Sequence, residues 1–169
     1  MFASFFNFSS LRFFSFHPCV SKWPALLIYV LLVTTQPPAS ADTSYFGIHG
    51  ISHHDGGNFN NANYGLYLVH KGFTGGFYDN SLNRTTFYLG HAWEWDLPPN
   101  PVADSIALMA SLATGYYTPQ TPYEYSPMGA ISLKHYFDSH QGMRLAYLPV
   151  YGKSPASYVL HLSYEYSLK

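Results

Sequence analysis

Side-chain character alternates with a period of two along most of the chain after residue 41, and turn-forming residues break the alternation at intervals. The last segment is the clearest: Tyr158, Leu160, Leu162, Tyr164, Tyr166 and Leu168 share one face, and His161, Ser163 and Glu165 share the other. Between residues 105 and 115, Ile106, Leu108, Ala110 and Leu112 stand against Ala107, Met109, Ser111, Ala113 and Gly115. Period-two alternation is the signature of a strand with two unlike environments on its faces.

Eight such segments are expected: Ser44–Ser52, Tyr64–His70, Phe73–Asp79, Arg84–Trp95, Asp104–Tyr117, Met128–Phe137, Met143–Val150 and Ser157–Leu168. Lys71-Gly72 and residues 80–83 read as short hairpin connections. Residues 96–101 hold three prolines, which remove ladder donors, so they read as a turn, as does the proline-broken stretch 118–126. Strands of this length match the roughly 9–11 tilted residues needed to cross a bilayer. The expected fold is therefore all-β, an eight-stranded antiparallel up-and-down transmembrane barrel with a small-residue or polar lumen and an apolar outer face. A soluble lipocalin-like barrel would turn its large residues inward instead. Trp93, Trp95, Tyr116 and Tyr117, near strand ends, resemble interfacial girdles.

The first forty residues differ. Arg12 and Lys22 precede an apolar run from Trp23 to Val33, too short to span a bilayer as a helix, and Ala39-Ser40-Ala41 supplies a small-x-small cleavage pattern. Residues 1–41 are thus expected to be a cleaved signal peptide and 42–169 the barrel, located in a bacterial outer membrane. The single cysteine, Cys19, falls in the leader, without the preceding residues of a lipoprotein site, so no disulfide is expected beyond it.

Composition narrows the partners. After residue 41 there are fifteen Tyr, with six Lys and Arg against nine Asp and Glu, a formal charge of −3. Nucleic-acid binding is not indicated, and so low a charge with so many aromatics is unlike a disordered chain. The expected partners are outer-membrane lipids, and the barrel is expected as a monomer.

If the first strand starts on the periplasmic side, the connections 53–63, 80–83, 118–126 and 151–156 face outward. His53-His54-Asp55 and Asp79-Asn80-Ser81 then share one rim on neighbouring hairpins, where a histidine base and a serine hydroxyl can meet. Two adjacent loop histidines without a spaced third ligand are poor support for zinc, and neither metal nor cofactor is implied. On residue type alone these are ordinary turn residues.

The stretch Phe77-Tyr-Asp-Asn-Ser-Leu-Asn-Arg-Thr-Thr-Phe-Tyr-Leu-Gly90 resembles the lipid A palmitoyltransferases of Gram-negative outer membranes. These are eight-stranded barrels with a Lys-Asp-Ser-Trp-Asn-Lys stretch and a glycine at the same spacing. Ser52-His53-His54 resembles the Thr-Trp-His of that family, and the likeness continues weakly through Thr114-Gly115 and Ala146-Tyr-Leu-Pro149. The resemblance implies transfer of a fatty acyl chain from phospholipid to lipid A at the outer leaflet, with the family's essential histidine on His54 and its serine on Ser81. Its aspartate falls on Asn80, with Asp79 one residue earlier, and its N-terminal amphipathic helix has no counterpart between residue 41 and the first strand. A non-catalytic structural or surface-interaction barrel, and a lipid A deacylase or other lipid hydrolase, are the alternatives. An acyl-chain site requires an apolar upper lumen, for which Ala107, Met109, Ala113 and Gly115 are candidates; His161, Glu165 and Arg144 suggest a polar plug lower down.

Overall fold

Eight alternating segments with short connections leave one economical way to satisfy every backbone group, which is to pair each strand with its sequence neighbours and the last with the first. The computed structural model describes residues 44–116, 124–151 and 154–168 and has this topology. Strands β1 (Ser44–His54), β2 (Ala62–His70), β3 (Phe73–Asp79), β4 (Thr85–Asp96), β5 (Ser105–Ala113), β6 (Ser126–Tyr136), β7 (Gln141–Pro149) and β8 (Tyr158–Ser167) form a closed antiparallel barrel in up-and-down order. β8 returns to β1 from Tyr45↔Ser167 to His54↔Val159. The expected leader, 1–41, and most of the connection 118–126 lie outside the described residues.

The turns follow from local chemistry. Lys71 and Gly72 both have positive φ, 50° and 81°, the geometry that a two-residue hairpin needs to match strand twist. Between β4 and β5, Asn100 accepts from the amides of Val102 and Ala103 and donates to the carbonyls of Pro98 and Ala103, replacing the donors that the prolines lack.

Most strand boundaries differ from expectation by one or two residues, and at β1 and β5 the reason is identifiable. β5 ends at Ala113 rather than Tyr117, because Gly115 takes a positive φ of 82° and turns the chain over the barrel mouth. That swings Tyr116 inward, where its hydroxyl meets that of Tyr78 at 2.7 Å, so Tyr116 is a lumen residue and not part of a girdle. Tyr117 lies outside the described residues. β1 runs two residues longer than expected, through an irregularity in register between His49 and Ile51. Below it the odd residues Tyr45, Gly47 and His49 are buried; above it the inward set is Ser52 and His54, while Ile51 and His53 are exposed. A one-residue slip inverts every side chain beyond it.

The radial arrangement is the reverse of a soluble domain. Leu89 is 71% exposed and Phe87 60%, whereas Lys134 and Glu165 are each 2% exposed. Each of the eight strands contributes at least one exposed large hydrophobic, among them Ile48, Leu66, Phe77, Leu89, Leu112, Leu133, Leu145 and Tyr166, so the apolar belt is unbroken around the closed wall. Soluble monomers rarely expose contiguous apolar patches beyond about 300–600 Å². Inside, Tyr45, Tyr67, Val69, Tyr88 and Ala113 form a packed cluster with Tyr78, Tyr116, Met109 and Met128 against it.

Gly47 makes that packing possible, since any Cβ there would enter the ring of Tyr67. Gly47→Val is expected to destabilise the barrel by about 1–3 kcal/mol through overpacking, read as a lower urea midpoint in detergent micelles.

Candidate functional site

The hairpins β1–β2, β3–β4, β5–β6 and β7–β8 gather at one end of the barrel, the loop end; the other end holds Ser44 and Ser167, the first and last strand residues. Near that second end, four strands project charges inward. The Lys134 ammonium lies 3.1 Å from Glu94 and 3.1 Å from Glu165, while Arg144 reaches Glu94 at 2.9 Å through Nη2 and Glu165 at 2.6 Å through Nε. Two acids and two bases balance formally.

Remaining hydrogen-bonding capacity is taken up nearby. Tyr67 and Tyr45 donate their hydroxyls to Glu165 and Glu94, Ser105 donates to Glu94, and Ser132 accepts from Arg144 Nη1 at 2.8 Å. The Lys134 ammonium also sits 4.0 Å above the Tyr45 ring. Buried charges persist only when paired and hydrogen-bonded, as they are here. The expected polar plug thus includes Glu165 and Arg144, together with Glu94 and Lys134, which the sequence pattern did not single out. Ala107, expected in an apolar upper lumen, instead pairs with Glu94 at the level of the plug.

His161 belongs to a separate group closer to the loop end. Its Nδ1 is 2.8 Å from Ser52 Oγ and its Nε2 is 2.9 Å from His49 Nδ1; His49 Nε2 is 3.1 Å from the Tyr88 hydroxyl. Sequence reasoning missed this chain, because the slip in β1 decides whether Ser52 faces His161.

At the rim, the two hairpins expected to meet are joined through the backbone carbonyls of the second. The Asn60 amide donates to the Ser81 carbonyl at 3.0 Å, Asn60 Nδ2 to the Asn80 carbonyl at 3.3 Å, and Asn63 Nδ2 to the Asp79 carbonyl at 2.7 Å. The β1 slip also distinguishes the two histidines: His54 turns inward and half-buried, and His53 is exposed. His54 Nδ1 donates to Asn61 Oδ1 at 2.8 Å, and its ring lies 4.8 Å from that of Phe59. This tautomer leaves Nε2 as the lone-pair nitrogen.

The serine and acid positions are arranged less favourably. Among the described residues no hydrogen bond joins His54 to Ser81, which stays half-buried in its turn. Asn80 is fully buried, and its side chain is committed to the hairpin: Nδ2 donates to Thr86 Oγ1 and the Gly115 carbonyl, and Oδ1 accepts from the amides of Leu82 and Arg84. Asp79 is exposed, on the same outward phase as Phe77. No group of three His, Cys, Asp or Glu among the described residues is placed to hold a metal ion.

Asp55 ties the β1–β2 loop to the start of β8, accepting from the amides of Ser157 at 2.6 Å and Tyr158 at 3.1 Å. These bonds, that of Tyr158 foremost, hold the carboxyl below the ordinary aspartate range. A depressed carboxylate stabilises the tie above its unfolded pKa of about 3.9, and the tie is lost as pH falls through the lower folded value. Amide exchange at Ser157 and Tyr158 is therefore expected to speed up only in strong acid, and Asp55→Asn to speed it up at neutral pH. For the plug, Glu165→Ala leaves Arg144 and Lys134 each short of a partner and is expected to cost about 3–5 kcal/mol in urea unfolding. Searches against protein-family models and against curated proteins find no match.

Proposed function

We propose that the chain is an integral barrel of a bacterial outer membrane, exported by its N-terminal leader, that handles fatty acyl esters of membrane lipids at its loop end, in the manner of lipid A acyltransferases. The barrel embeds by its apolar belt, since the exposed faces of all eight strands suit hydrocarbon and the paired charges suit a sealed interior. The lumen near the strand termini is crossed by the four-charge plug, so an open pore is disfavoured and chemistry belongs at the other end.

The observation carrying the acyl-ester reading is the junction of the two rim hairpins. The bonds from Asn60 to the carbonyls of Asn80 and Ser81 bring the segment bearing His54 against the turn bearing Ser81. That agrees with the resemblance at residues 77–90. A second reading, a non-catalytic structural or surface-interaction barrel, is favoured by Asn80, whose side chain is spent on holding the turn.

Two measurements test this. The chain without residues 1–41, folded in detergent, should migrate faster on a gel before boiling than after, and should insert into phospholipid vesicles. Given labelled phospholipid and lipid A, it should yield lipid A one acyl chain heavier by mass spectrometry, with a large loss for His54→Ala. Unchanged lipid A across donors of several chain lengths supports the non-catalytic barrel, and free fatty acid without heavier lipid A points to hydrolysis.

A further inference from the structure

We propose that Ser52 is an acyl-accepting nucleophile, with His161 as its base and His49 and Tyr88 as the groups that orient the base. The proposal rests on the acyl-ester reading of the loop end and assigns its nucleophile to Ser52 rather than Ser81. It starts from a continuous hydrogen-bonded series: Ser52 Oγ to His161 Nδ1 at 2.8 Å, His161 Nε2 to His49 Nδ1 at 2.9 Å, and His49 Nε2 to Tyr88 OH at 3.1 Å. A nucleophile within hydrogen-bond reach of a base, with the base held by a third group, is the arrangement that activates a hydroxyl. The rim residues His54 and Ser81 show no such link among the described residues.

With one ring proton on each imidazole, the series has two polarities. In one, Ser52 donates to His161 Nδ1, His161 Nε2–H donates to His49 Nδ1, and His49 Nε2–H donates to the Tyr88 oxygen. In that polarity the lone pair of His161 is aimed at the serine proton. Burial is graded in the direction the chemistry needs: Ser52 and His161 are half-buried, and His49, which only holds the base, is buried at 9% exposure.

The neighbouring wall indicates the substrate. His161 pairs with Ala146, and His54, two residues above Ser52, pairs with Val159, which in turn pairs with Leu148. Strand phase turns Ala146, Leu148 and Val159 inward, and Ala130 is buried on β6. A nucleophile beside an apolar strip suits the ester of a hydrophobic acid. Asn63, on the inward phase of the adjoining β2, has its Oδ1 buried without a partner and offers an acceptor for a hydroxyl.

The step balances without a co-reactant beyond ester and acceptor. Ser52 Oγ bonds to the acyl carbon as its proton passes to His161 Nδ1; the ester C–O bond breaks, and His161 returns that proton to the leaving oxygen. An acceptor hydroxyl or water then attacks the carbonyl carbon of the acyl-serine, giving its proton to His161; the bond from that carbon to Ser52 Oγ breaks, and His161 passes the proton back to Oγ.

The test uses the folded barrel in detergent and a fluorophosphonate, which bonds irreversibly to activated serine hydroxyls, with the adduct located by peptide mass mapping. The expected result is one adduct, on Ser52. It should be absent in Ser52→Ala, slowed at least about 100-fold in His161→Ala, as loss of a general base implies, and unchanged in Ser139→Ala in the β6–β7 turn. His49→Gln, which keeps a hydrogen-bonding group beside His161, should label faster than His49→Leu at equal unboiled gel mobility. An adduct on Ser81 alone overturns the assignment and leaves the acyl-ester reading standing. No adduct in a folded barrel overturns the assignment even if acyl transfer is detected, and absence of both adduct and transfer removes both proposals. An adduct on Ser52 without transfer to lipid A keeps the nucleophile and removes lipid A as its acceptor.

Discussion

The constraint on which the rest of the molecule depends is the set of ion pairs among Glu94, Lys134, Arg144 and Glu165 inside the barrel. Charges buried singly would cost several kcal/mol each, so the arrangement holds only while all four are present and their remaining valences are met by Tyr45, Tyr67, Ser105 and Ser132. The acids and bases come from β4, β6, β7 and β8, and the tyrosines from β1 and β2, so the network ties together strands that are distant around the wall. Neighbouring strands are already joined by their ladders. The network adds bonds across the diameter near one end.

The position of the charges near that end makes the two ends of the interior unlike. Above the charges the interior passes to tyrosines and histidines, then to Ser52, His54 and the rim loops. The outer wall carries exposed large hydrophobic side chains on every strand. The slip in β1 lies between these zones. Below it the strand presents Tyr45, Gly47 and His49 to the lumen; above it Ser52 and His54, which a regular strand would turn outward. One irregularity thereby brings a serine to His161 and separates the roles of His53 and His54.

The fold was legible because its signals are local. The alternation of β8 and β5, the positive-φ turn at Lys71-Gly72 and the proline-rich connection at 98–101 each depend on a few adjacent residues, and each is present in the structure. The inward phase of Arg144 and Glu165 was legible too. Their partners Glu94 and Lys134 were not, because contacts across a lumen are set by the relative stagger of non-neighbouring strands, which period-two patterning does not encode. Tyr116 was misplaced because one glycine, Gly115, redirects the chain after β5. Asn80 was read as standing at the aspartate position of the family that residues 77–90 resemble, although an Asn opening a tight connection is also the residue expected to hold that turn with its own side chain.

The central claim, that the charge network acts as a unit sustaining the closed barrel, is tested most directly by a double-mutant cycle. Urea unfolding of Arg144→Gln, Glu165→Gln and the double variant, each in phospholipid vesicles, gives the coupling energy between the two side chains. A network of buried, mutually satisfied groups predicts a coupling of about 1–3 kcal/mol, with the double variant less damaged than the sum of the singles. Additive effects, with coupling within about 0.3 kcal/mol of zero, would contradict it.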